Sequence, residues 1–176
     1  TIIDKGSPVQ IGSATDWKSV TGGAYHTVAT KTNNSLWTWG RNTNGQLGDG
    51  TNTDKNIPTQ IGTSTNWEQI SGGDRHSLAI KSDGTLWAWG ANDFAQLGDG
   101  TTTAKNYPIQ IGNATDWQSI SAGGQHSLAI KTNGTLWAWG FNSDGELGNG
   151  TNINSLVPLQ IGTENNWEMI DGGSVH

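Results

Sequence analysis

The chain has 176 residues, 32% hydrophobic and 14% charged, with 26 glycines, ten tryptophans and no cysteine. So little Leu, Glu, Lys and Arg among small and Asn/Thr-rich stretches excludes a helical bundle and makes all-β the expected class. A net charge of −6 is the wrong sign for gripping phosphate backbones, no run approaches the ~20 apolar residues of a membrane helix, and the lack of cysteine excludes disulfides and thiolate metal sites.

The order of the chain is set by a repeat. Pro8, Pro58, Pro108 and Pro158 are fifty apart, as are Trp17, Trp67, Trp117 and Trp167, and His26, His76, His126 and His176. Residues 67–116 align on 117–166 without gaps at 26 identities in 50, the mark of a tandem supersecondary unit. The first element is an outer strand at 7–12, belonging to an incomplete unit. Full units follow at about 17–62, 67–112 and 117–162, and the start of another at 167–176.

Each unit reads as four short strands. In the third copy the first lies at Trp117–Ser121 and the second at His126–Lys131. The turn Thr132-Asn133-Gly134-Thr135 carries an Asn-Gly signal, expected as a type I′ hairpin with positive φ at both central residues. The third strand is Leu136–Trp139. A long glycine-rich connection, 140–151, leads to a last strand around Pro158–Ile161, which its proline confines to a sheet edge. Four antiparallel strands per fifty residues make a β-propeller blade. Trp137 and Trp139, two apart on one strand, share a face and are expected to fill the gap between stacked blades, and not to form an exposed sugar platform.

The stretch Gly123-Gly124-Gln125-His126-Ser127-Leu128-Ala129-Ile130-Lys131, followed by Gly134-Thr135-Leu136-Trp137-Ala138-Trp139-Gly140, Asn142 and Gly145-Glu146-Leu147-Gly148-Asn149-Gly150, resembles the repeat of the regulator of chromosome condensation family. The pattern recurs at 73–100 and 23–50. The resemblance implies a seven-bladed propeller used as a rigid interaction surface, of which about three and a half blades are present. The family's members include a chromatin-binding nucleotide-exchange factor, a tryptophan-based light receptor, a secreted inhibitor of β-lactamases and exported bacterial surface proteins. The light receptor's Trp and Arg before the histidine are replaced here by Ala24-Tyr25, Asp74-Arg75, Gly124-Gln125 and Ser174-Val175, and acidity disfavours a chromatin role. Uniform repeats with Asn/Thr-rich connections look most like the exported bacterial members, which implies an extracellular or cell-surface location.

Candidate chemistry is sparse. Histidines on separate blades cannot share one zinc ion, and each is expected to hydrogen bond its own glycine turn. Gly98-Asp99-Gly100-Thr101 lacks the Lys-Ser/Thr of a phosphate loop, and Asn142-Ser143-Asp144-Gly145 lacks the acidic spacing of a calcium loop. Lys18, Glu68, Gln118 and Glu168 on the inner strands do not assemble a catalytic set. The expectation is a chain with no catalytic residue, metal or cofactor.

An up-down meander sends the turn after strand one and the connection after strand three to the same face. There the copies differ most, and Tyr25, Arg41, Arg75, Phe94, Gln125 and Phe141 are the candidate partner-binding residues. The leading expectation is a non-catalytic module of an exported or cell-surface protein, serving as a protein-interaction scaffold or adhesin-like segment. A secreted inhibitor or ligand-binding propeller docking one partner is the alternative, and a propeller enzyme a distant third. Expected partners are proteins and the remainder of a longer chain or a second propeller segment, with no nucleic acid and no membrane insertion. Two copies joined end to end would leave two wedges without second and third strands, so a longer propeller is expected over a dimeric ring.

Overall fold

The computed structural model describes residues 6–174. Twelve strands form three four-stranded antiparallel sheets and, among the described residues, no helix. The first blade comprises β1 (Trp17–Gly22), β2 (His26–Lys31), β3 (Leu36–Gly40) and β4 (Lys55–Ile61). The second comprises β5 (Trp67–Gly72), β6 (His76–Lys81), β7 (Leu86–Gly90) and β8 (Lys105–Gln110); the third, β9 (Trp117–Ala122), β10 (His126–Lys131), β11 (Leu136–Gly140) and β12 (Ser155–Ile161). Order within each sheet follows the chain, so the proline-bearing strands β4, β8 and β12 are edges. β1, β5 and β9 lie side by side around the axis.

Each blade has two unlike apolar faces because side chains alternate along a strand. Val28, Leu36 and Ile61 of the first blade pack on Trp67, Ala79 and Trp89 of the second. Fifty residues on, Leu78, Ile80, Leu86, Ala88, Leu97 and Ile111 pack on Trp117, Ile120, Ala122, Ala129 and Trp139. Trp89 and Trp139 are fully buried, and each indole N–H donates to a carbonyl of the preceding blade's long connection, Gln46 and Gln96, at 2.9 Å. These indoles fill the gap between blades. Their neighbours Trp37, Trp87 and Trp137 are only half-buried; Trp87 and Trp137 pack against the same inter-blade clusters, and all three meet Trp17, Trp67 and Trp117 edge-on, with centroids 5.7–5.9 Å apart.

The hairpin differs from expectation. Asn133 has no positive φ, whereas Gly134 lies at +76°, and Gly134 N–H donates to Lys131 O while Lys131 N–H donates to Thr135 O. This is a type I turn closed by one left-handed residue. Asn133 stays right-handed because its Oδ1 accepts from both the Thr135 amide and hydroxyl. Gly84 and Asn34 hold the left-handed position in the other blades.

Residues 7–12 form no strand, a correction to the expected outer strand: among the described residues there is no third strand of a preceding blade for them to pair with. Residues 167–173 are likewise not a strand, although Trp167 N–H donates to Gly134 O and Gly124 N–H to Gly173 O, which sets them beside the third blade. Val175 and His176 lie outside the described residues.

Candidate functional site on the loop face

The short turn and the long connection of each blade are tied together by one backbone hydrogen bond: Arg41 N–H to Tyr25 O, Ala91 N–H to Arg75 O, and Phe141 N–H to Gln125 O, at 2.8–2.9 Å. That bond sets both loops on one face of the propeller. The long connection is held from inside by a buried asparagine. Asn92 Nδ2 donates to Asp99 Oδ1, Thr101 O and Thr103 O, while its Oδ1 accepts from Leu97 N–H. Asn42 and Asn142 repeat this network. Burial alone would raise Asp99, but bonds from the Thr101 hydroxyl and amide, Lys105 and Asn92 hold it below the usual carboxylate range. Asn142 stood in the repeat motif, but the anchoring role it shares with Asn42 and Asn92 was not read from the sequence, although their spacing of fifty was visible.

On this frame the six candidate residues fall along one stripe. The Arg41 guanidinium lies 5.3 Å from the centre of the Tyr25 ring. Tyr25, Arg75, Phe94 and Gln125, with Asp74, Asp93 and Gln96, line a depression of about 100 Å³. Phe94 then meets Phe141 edge-on, centroids 4.9 Å apart. Tyr25, Arg41, Arg75 and Gln125 are exposed, and the two phenylalanines half-buried. The stripe therefore presents aromatic carbon, two guanidiniums and two carboxylates, without a nucleophile beside a base.

His26 and His76 sit beneath this face and do not cap their own turns through their rings. His26 Nε2 lies 2.8 Å from Ser77 Oγ in the next blade, and Ser77 Oγ donates to Gln46 O. His76, Ser127 and Gln96 repeat the relay. Since the serine's one proton goes to the carbonyl, the imidazole must donate from Nε2. Nδ1 of His26 and of His76 is buried without a partner, and burial pulls His26 down to about 4 and His76, which also feels His26 and His126, to about 3. The expected bond to the glycine turn is made by backbone instead, from Gly23 N–H to His26 O and from Gly73 N–H to His76 O.

Comparison with known proteins turns on this repeat. The Regulator of chromosome condensation (RCC1) repeat matches at residues 33–80, 83–130 and 133–176. The chain belongs to that family. A second description of the RCC1 repeat matches 17–46, 67–96 and 117–146. Among solved structures it is similar to Prp20p from Saccharomyces cerevisiae, studied for its binding to Gsp1p and histones, with TM-score 0.81 and 25% identity over 90% of this chain and 42% of that one. Yeast RCC1 (Prp20) bound to Kap60 gives 0.75 and 26% over 84% and 37%. Human WBSCR16 gives 0.74 and 24% over 82% and 37%, a likeness of fold. The RCC1-repeat chain thus spans about two fifths of these structures. No curated protein matches it significantly in sequence.

Proposed function

We propose that these blades form a non-catalytic protein-interaction module whose loop face, centred on Arg75 between Tyr25 and Phe94, docks a protein partner. The observation that carries this reading is the convergence of the side chains that do not repeat into one stripe, on a scaffold whose buried residues repeat almost without change. Exposed aromatics and arginines are the residue types enriched at binding hot spots. The similar yeast propeller's binding to Gsp1p and histones supports a protein as the ligand class. The resemblance of these uniform repeats with Asn/Thr-rich connections to the exported bacterial members of the family supports a host protein that is exported or displayed on a cell surface, with an adhesin-like or scaffolding role.

The test is site-specific photocrosslinking in cells from position 75 and, as control, from position 133 on the opposite hairpin. A discrete adduct from position 75, lost with Tyr25→Ala plus Phe94→Ala, is expected; equal adducts from both positions would sink the reading. Surface labelling of intact cells by an impermeant reagent is expected to reach the protein, and protection until lysis would overturn the exported assignment.

A further inference from the structure

The inter-blade joints are so alike that a difference between them stands out. At the rim, each second strand ends in a lysine lying over two tryptophans: Lys31 over Trp17 and Trp37, Lys81 over Trp67 and Trp87, Lys131 over Trp117 and Trp137. Two of them are neutralised. Lys31 pairs with Asp16 at 3.1 Å and Lys131 with Asp116 at 3.0 Å. The second blade has Asn66 at that position, on the same backbone: Asn66 O accepts from Ser82 N–H as Asp16 O does from Thr32 N–H and Asp116 O from Thr132 N–H, all at 2.8 Å. An amide carries no charge, so among the described residues Lys81 has no carboxylate within ion-pair distance. Its ammonium sits 3.8 Å from the centre of the Trp87 ring and 4.6 Å from that of Trp67.

This cation faces a groove of about 650 Å³ between the first and second blades, lined by Thr51, Thr59, Gln60, Ser64, Tyr107 and Pro108 as well as by Trp67 and Trp87. Two of its linings are also peculiar to it. Tyr107, exposed, stands where the other outer strands carry Ile57 and Val157, and Ser64 stands where the flanking linkers carry Ala14 and Ala114. The second lysine of the groove, Lys55, is already paired with Asp49 at 3.2 Å. One unneutralised cation, one aromatic platform and one added hydroxyl therefore coincide at a single joint. The groove is also flanked by the edge strands β4 and β8; Asn106 O of β8 already accepts from Gly50 N–H, and the other outward backbone groups of such edges can accept an extended chain.

We infer that this groove is a second binding site, separate from the loop face, that takes an acidic peptide segment of a partner protein, with a Glu or Asp carboxylate reaching Lys81 from the groove to supply the charge that Asn66 lacks, and an apolar neighbour on Tyr107. Charge complementarity supports this occupant, and the edge strands favour a peptide over an acidic sugar. Burial against the rings pulls the Lys81 ammonium below the ordinary lysine range, partly offset by Asp83; a carboxylate partner restores it.

The experiment is calorimetric titration of the full chain at low salt with a blocked hexapeptide alternating valine and glutamate, with its valine–glutamine counterpart, and with trigalacturonate. One glutamate peptide should bind per chain, and the glutamine peptide about tenfold or more weaker. Asn66→Asp installs the residue that the other joints already carry, so it should fold normally, seen as an unchanged circular dichroism spectrum, and weaken the glutamate peptide by about tenfold or more; Lys81→Met should do the same. Equal binding of the two peptides, no binding of the glutamate peptide, indifference to Asn66→Asp, or binding of trigalacturonate alone would overturn the proposal. Loop-face variants such as Arg75→Ala leave this titration unchanged, so it stands or falls apart from the loop-face reading.

Discussion

The joint between the first two blades and the joint between the second and third are nearly one structure written twice, whereas the loop face a few ångströms above them changes at every copy. In the joints an indole and a serine donate to one carbonyl, Gln46 and, fifty residues on, Gln96, and a histidine bonds that serine. On the loop face the corresponding positions read Tyr25, Arg75, Gln125 and Arg41, Ala91, Phe141. The contrast separates two demands. Stacking requires each blade to present one face that fits the next, so the joint residues cannot drift singly; a loop tied down by its own backbone bond and buried asparagine tolerates any side chain that points outward. Repetition here marks the residues that carry the stability, and variation marks those free to recognise something.

The sharpest way to break that contrast is to remove an indole from a joint. Trp89→Ala empties a fully buried site and removes one of the two donors to the Gln46 carbonyl, leaving it the Ser77 hydroxyl, and should destabilise by about 4 kcal/mol in urea unfolding. Trp39 is the same residue of the repeat on the outward face of the first blade, where it is only half-buried, and Trp39→Ala should cost about half as much. Equal losses would mean that position in the repeat, and not burial in a joint, sets the energy.

Acid tests the same joints next. Unfolded, His26 and His76 take up protons near the ordinary 6.5; folded, they stay neutral until about 4 and about 3. Between those values the unfolded state binds more protons, so the stability from these groups is complete above 6.5 and declines as pH falls, levelling only below the folded values. By pH 5 the loss should be about 2 kcal/mol per histidine, read as a lower urea midpoint than at pH 7. The carboxylates held low, Asp49, Asp83 and Asp99, titrate below their ordinary 3.8 when folded and give way at lower pH, so the interval from 7 to 5 isolates the histidines. A midpoint that does not move there would mean that the rings are not locked neutral.

Much of this was legible in the sequence, because the period of fifty aligned Pro, Trp and His and made each strand visible three times over. What was not legible depended on partners in another blade. The ring of His26 could have turned to its own glycines; only the stacking of blades brings Ser77 Oγ to its Nε2 while backbone serves the turn. The hairpin misled because Asn133 has two ways to satisfy its side chain, and bonding Thr135 keeps it out of the left-handed region. The exchange of Asp for Asn66 stood in plain view in the alignment, but had no meaning until Lys81 was seen between two rings.

The smallest effect sharpens the comparison where the two regions meet. At the turn of the long connection, Gly45 and Gly145 adopt φ of +78° and +89°, and Ala95, their equivalent between Phe94 and Gln96, adopts +65°. A left-handed alanine costs roughly 1 kcal/mol through the clash of its Cβ with backbone. The conformation is imposed by the connection itself, since Ala95 N–H donates to Asn92 O and Gly98 N–H to Ala95 O. A Cβ at Gly45 would lie 2.6 Å from Asn106 Cα of the next blade, whereas the methyl of Ala95 is buried and so returns part of its strain as packing. Ala95→Gly removes both and relaxes the unfolded chain, leaving a net change within about 0.5 kcal/mol. A loss well beyond that in urea unfolding would show that the methyl packs as part of the joint, and would move the boundary between the repeated scaffold and the variable face up to Phe94.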